Sequence, residues 1–179
     1  MKEAFTHKSL LILGRGIGQV MFQNNALSGL LMLIGIFLNS WQMGLLAVSG
    51  NIISTSTGRI SGYDRDDIKN GLYGFNGTLV GIAVGVFMHL TVNSLILMAI
   101  ASCASTYIAR FFNMQRMLPG FTTLFILSVW MLLGLCSWLM PDMLLVSDTE
   151  TPASSSINYL QCFSMSIGQV MFQGNIMTG

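Results

Sequence analysis

Ile17-Gly18-Gln19-Val20-Met21-Phe22-Gln23 is repeated letter for letter as Ile167 to Gln173. The likeness continues loosely, with Asn25 answered by Asn175, Ser28 by Thr178 and Gly29 by Gly179. All of these pairs share one shift of 150 residues, which chance does not give. The chain reads as one whole structural repeat followed by the opening of a second. Internal repeats in an apolar chain point to transporters and channels, whose sites lie between the two repeats.

Composition decides the solvent. Hydrophobic residues make up 53% of the chain and charged residues 8%, with a mean hydropathy of +0.66. A soluble domain carries roughly 25% charge, so this chain cannot cover itself with a hydrated surface and the bilayer is the expected partner. A net charge of +1 gives no footing for nucleic acid. The 14 Met and 19 Gly suit packed membrane helices, where small residues let backbones approach. Cys103, Cys136 and Cys162 form no C-x-x-C pair and read as buried free thiols. The N-terminal MKEAFTHKSLLILGRG is basic, shows no clear signal-peptidase site and reads as a retained tail.

Apolar runs predict crossings at about 26–39, 41–57, 71–90, 93–110 and 120–140, with a sixth stretch near 157–173. The tight linkers Asn39-Ser40-Trp41 and Thr91-Val92-Asn93 each join two antiparallel helices. Lys2, Lys8 and Arg15 precede the first crossing, Arg59, Arg65 and Lys69 follow the second, and Arg110 and Arg116 follow the fourth. The stretch from Pro141 to Ser156 holds Asp142, Asp148 and Glu150 without a Lys or Arg. The positive-inside rule makes the first three loci cytoplasmic and the last external. Five crossings is an odd number, so the repeated motif returns with opposite orientation, as an inverted repeat. The expected organisation is a first transmembrane repeat over 1–140, a linker over 141–156 and the start of a second repeat over 157–179. The fold class is all-α, with five transmembrane helices in the first repeat, the only one complete here.

Three segments are candidates for function. In Ile17 to Gly29, the amides Gln19, Gln23, Asn24 and Asn25 crowd the edge of an apolar stretch. That pattern suits a half-helix or re-entrant turn facing a cavity; the plainer alternative is an interfacial helix start. In Lys69 to Gly81, Gly71, Gly74, Gly77 and Gly81 line one helix face and admit close packing or a ligand. Phe75 and Leu79 sit four apart on a common face, and Asn76 and Thr78 are polar within an apolar run. In Leu118-Pro119-Gly120-Phe121-Thr122-Thr123, hydroxyls follow a helix breaker and face a pore or bond back to the preceding turn. No metal-spaced Cys/His cluster, phosphate loop or catalytic triad occurs, which argues against an enzyme. No apolar segment has a central Asp, Glu, Lys or Arg, which points to passive passage of a neutral solute.

Together the repeated Q-V-M-F-Q, the N-G-L-Y-G-F-N-G-T-L-V-G stretch and the Leu-Pro-x-x-Thr element resemble the signatures of the urea transporter family, over nearly the whole chain. The resemblance implies channel-like, facilitated diffusion of urea without a cofactor. It further implies two inverted repeats, each of five transmembrane helices plus a re-entrant half-helix, assembled as a homotrimer with one pore per protomer, in a bacterial inner (plasma) membrane with the N-terminus cytoplasmic. By motif position Gln19, Val20 and Phe22 line one mouth with Phe75 and Leu79 beside them. Thr122 lies near the narrow centre, and Gln169, Val170 and Phe172 form the opposite mouth. In some relatives one mouth has a glutamate; here both carry Gln. Because the second copies of two motifs fall beyond Gly179, these 179 residues are expected to transport poorly by themselves. A channel for another small neutral polar solute and a non-transporting remnant are the alternative readings.

Overall fold

The computed structural model describes residues 2–115 and 123–145. Seven helices account for almost all of them: α1 (Lys2–Gly18), α2 (Ala26–Asn39), α3 (Trp41–Ile60), α4 (Arg65–Lys69), α5 (Gly74–Phe87), α6 (Val92–Gln115) and α7 (Thr123–Leu139). Single 3-10 turns at Gln19–Met21 and Pro141–Met143 follow α1 and α7. The breaks are written in short polar residues. Ser40 alone separates α2 from α3: its backbone is extended, its N–H closes on Ile36 O, and its hydroxyl accepts from Met43 N at 3.3 Å to start the next helix. Before α6, Ser94 Oγ accepts from Thr91 N at 2.9 Å while Thr91 Oγ1 accepts from Ser94 N at 3.2 Å, a reciprocal cap.

The expected crossings coincide with α2, α3, α5, α6 and α7, and these five run alternately up and down. At one end, His89 N donates to Met143 O and Leu145 N to Phe87 O, which brings the ends of α5 and α7 together. At the other, Gln19 reaches Asn70, Arg110 covers Tyr63, and Tyr73 packs with Leu124. Lys8, Arg15, Arg59, Lys69 and Arg110 lie at this second end. The α2–α7 exterior is apolar: Leu31, Leu38, Ile100, Trp130 and Trp138 are all exposed, as lipid-facing side chains are.

Two corrections follow. The N-terminal stretch read as a tail is helix α1, packed on α2. Gly14, Gly18 and Gly29 bring the two backbones into contact, so that a Cβ on Gly29 would strike the Gly14 carbonyl. Helical periodicity in a basic, moderately apolar run was overshadowed by its charge. Second, the segment expected to cross over 71–90 yields a helix of only 14 residues, α5. At about 1.5 Å per residue it spans roughly 20 Å, less than the roughly 30 Å hydrocarbon layer. Among the described residues one helix, at Val92–Phe112, is long and apolar enough to cross a membrane. The bent pair Lys8–Met21 and Ala26–Asn39, turned by 75°, passes the same test as one broken span.

α5 is the centre of the bundle. Every residue from Gly74 to Val84 is buried, and the helix packs on α3 more extensively than any other pair packs. Gly74, Gly77 and Gly81 form its contact face, against Asn51, Gly50 and Leu46 of α3. The glycine periodicity is thus used for close helix packing. Beside it runs a polar seam. Asn51 Nδ2 donates to Thr78 Oγ1 at 2.9 Å and to Leu13 O at 3.2 Å, and Thr55 Oγ1 donates to Asn51 Oδ1 at 3.2 Å. Ser54 Oγ donates to Ser102 O at 2.8 Å, and Thr106 Oγ1 to Ser54 O at 3.3 Å. Away from water, each of these groups must find a protein partner.

Candidate functional site

The site grows from the break between α1 and α2. After Gly18 the chain makes one 3-10 turn and then reaches Phe22, whose φ of 56° is the only positive value among the described non-glycine residues. Phe22 N closes this turn on Gln19 O at 2.8 Å, and Gln23 N bonds Gly18 O at 3.0 Å. Such left-handed geometry is uncommon for a bulky residue and marks a position held by its surroundings. Asn25 restarts the helix: its side chain accepts from Leu27 N at 2.9 Å. Ser28 Oγ donates to Gln23 Oε1 at 3.0 Å. The amides of Gln23 and Asn25 thus hold the turn itself together.

Gln19 points the other way. Its Nε2 donates to Asn70 O at 3.0 Å, and Asn24 Nδ2 donates to Asn70 Oδ1 at 3.0 Å. Asn70 thereby ties the repeated motif to the start of the glycine-rich one. The sequence reading quoted Asn70 without giving it this role; an Asn directly before Gly71, which has a φ of 77°, was its available signal. Val20 is buried, and it falls in the same apolar cluster as Phe75 and Leu79. The Gln19–Met21 turn packs against α5, the cluster that Val20 shares with Phe75 and Leu79 runs along the bundle to Met88 and Cys136, and Phe22 stands 65% exposed. Thr122, Gln169, Val170 and Phe172 lie outside the described residues, as does most of the Leu118–Thr123 element. Asn76 is fully buried, and both of its amide atoms are without a hydrogen-bond partner among the described residues.

The rim is aromatic and charged. Tyr63 packs on Tyr73 with ring centroids 5.4 Å apart, and the Arg110 guanidinium covers Tyr63 at 5.2 Å. α4 is held by Asp64, whose carboxylate accepts from Asp66 N at 2.8 Å and Asp67 N at 3.1 Å. Those two N–H groups, that of Asp67 foremost, lower the Asp64 pKa below its ordinary 3.8. Desolvation, then repulsion from Asp64, raises that of Asp67. The lowered Asp64 contributes stability that is complete well above pH 3.8 and is lost as pH falls through its depressed value. The Asp66 and Asp67 amide resonances of the wild type should therefore move together on acidification. In Asp64→Asn, which still accepts but does not titrate, the shared movement should vanish; its persistence would show that another group governs α4.

With this geometry in view, comparison with known proteins is decisive. The profile of the family described as urea transporter matches residues 10–179. The chain belongs to the urea transporter family. It is a family of membrane transporters and not of enzymes. The chain is 41% identical over 75 residues to Urea transporter 1 of Mus musculus, which covers 42% of this chain and 20% of that protein. Against Urea transporter 1 of Rattus norvegicus it is 42% identical over 73 residues, 41% of this chain and 19% of the relative. It thus aligns with about a fifth of the length of the curated relatives it matches.

Proposed function

We propose that this chain forms one half of a channel for facilitated diffusion of urea, and that the helix break is one mouth of its pathway. The packing of the Gln19–Met21 turn on α5, with Gln19 bonded to Asn70, carries the reading, because two motifs 51 residues apart in sequence then touch, and Val20, Phe75 and Leu79 belong to one apolar cluster. Urea is flat, small and neutral, yet its carbonyl and amino groups make bare hydrocarbon costly to enter. Apolar walls at Val20, Phe22, Phe75 and Leu79 accept its planar face and reject hydrated ions. The Gln19 carboxamide keeps its oxygen for urea N–H groups, since its Nε2 is committed to Asn70. In this reading Thr122 offers a hydroxyl at the narrow centre, and Gln169, Val170 and Phe172 build the opposite mouth from the second, inverted repeat. Several weak sites in series allow fast exit. The full-length protein works as a homotrimer in the cell's inner membrane, with the basic end of the bundle cytoplasmic.

Stopped-flow urea flux in proteoliposomes of the full-length protein tests the reading. Thr122→Val should slow urea entry about ten-fold, the loss expected when one hydrogen bond of about 1.4 kcal/mol is removed at the barrier. Phe22→Ala should leave urea flux measurable and admit bulkier amides. Unaltered flux in Thr122→Val together with unaltered selectivity in Phe22→Ala would remove these residues from the pathway.

A further inference from the structure

We propose that the crevice between α1, the end of α3 and α4 binds the phosphate headgroup of an anionic phospholipid. Four cations from three elements line it: Lys8 and Arg15 of α1, Arg59 in the last turn of α3, and Lys69 at the end of α4. Lys8 and Arg15 are seven residues apart, two helical turns, and so share a face of α1. Between them, Leu11 and Ile12 give the crevice an apolar floor, and its volume is about 350 Å³. No carboxylate lines it. The one ion pair among the described residues, Lys69 with Asp66 at 2.8 Å, is exposed on both sides and leaves the other three cations unpaired by acid. Arg15 is held in place by a single bond, Nη1 to Lys69 O at 3.2 Å, which keeps most of its guanidinium N–H groups available.

The second observation lies across α1. Leu11 also lines an apolar groove of about 530 Å³ walled by Leu10, Leu27, Leu30 and Leu33. Cationic crevice and apolar groove meet at this one side chain. A diacyl phosphate matches both halves, whereas a free phosphate uses only the first. The basic end is also where headgroups lie if the bundle spans a membrane. The proposal rests on that membrane placement but on no claim about urea.

Native mass spectrometry of the full chain, released from micelles with equimolar phosphatidylglycerol and phosphatidylcholine, tests it. Wild type should retain phosphatidylglycerol over phosphatidylcholine by about ten-fold or more, given the known attraction per cation. Arg15→Gln with Arg59→Gln should bring the preference close to parity, while Arg15→Lys with Arg59→Lys keeps it. Arg110→Gln should leave it intact, because Arg110 stacks on Tyr63 outside the crevice. Equal preference in wild type and the double Gln variant, at matched thermal melting, overturns the site. Should the double Gln variant not fold, Lys8→Gln with Lys69→Gln takes its place, and an unchanged preference there overturns the site equally. Displacement of the lipid by millimolar inorganic phosphate overturns the lipid assignment in favour of a free anion. Urea flux is not the readout, so failure here leaves the pore reading standing.

Discussion

Gly77→Val should abolish the folded bundle. Gly77 sits where α5 crosses α3, and a Cβ there would strike the Gly50 carbonyl and the Ser54 hydroxyl. The obstruction is mutual, since a Cβ on Gly50 would strike the Gly77 carbonyl. Overpacking against movable side chains costs about 1–3 kcal/mol. Here the obstacle is backbone on both helices, so relief requires α3 and α5 to separate. Separation would break the Asn51–Thr78 bond that joins the two helices. The expected result in detergent is an aggregated or absent monodisperse peak on gel filtration, with no cooperative melt. Gly134→Ala is the matched control. Nothing lies within 4 Å of the place its Cβ would occupy, and a helical Gly→Ala change there should be neutral or gain up to about 1 kcal/mol. A well-folded Gly77→Val protein with a wild-type melting temperature would mean that α3 and α5 do not cross at this point.

Asn51→Leu should be the next most damaging change, for a polar reason. Asn51 is fully buried on α3 and bonds Leu13 O of α1, Thr78 Oγ1 of α5 and Thr55 Oγ1 of its own helix. Leucine has similar bulk but satisfies none of these groups. An orphaned buried group costs about 1–3 kcal/mol, although inter-helix bonds in membranes average nearer 0.6 kcal/mol. Thr78 also donates to Gly74 O at 3.0 Å and so retains one bond. A loss of about 2 kcal/mol is therefore expected, seen as a fall of several degrees in the melting temperature. The damage should centre on α1, whose Leu13 carbonyl loses the partner from α3. Faster hydrogen exchange confined to residues 8–18 would support this. A uniform change across the chain, or none, would show that Asn51 does not tie the three helices.

Much of the bundle is visible in the primary structure, and particular residues show why. Ser40 and the Thr91/Ser94 pair are local stop-and-start signals, effective whatever surrounds them, and the helices break there. The same holds for apolar length in α6. Helix α1 is not evident in the sequence, where Lys8 and Arg15 read as part of a basic tail; its packing comes from Gly14, Gly18 and Gly29, whose significance appears only when two backbones meet. The seam shows the opposite balance. Asn51, Ser54 and Thr55 on α3, and Ser102, Ser105 and Thr106 on α6, both follow an i, i+3, i+4 spacing that marks a single polar face.

For the site, Phe75 and Leu79 could be paired from sequence because a helix places positions four apart on one face. That the turn holding Val20 packs on this helix could not be read there, since it depends on the 75° bend after Met21 and on the bond from Gln19 to Asn70. Sequence alone determined the membrane as solvent, the repeat and the sites of helix breakage, all of which follow from composition and from contacts a few residues long. Tertiary structure alone decided that α5 is short and central, and which motifs share a wall. Those outcomes depend on glycine-to-backbone contacts between distant segments, and no local rule records which segments will touch.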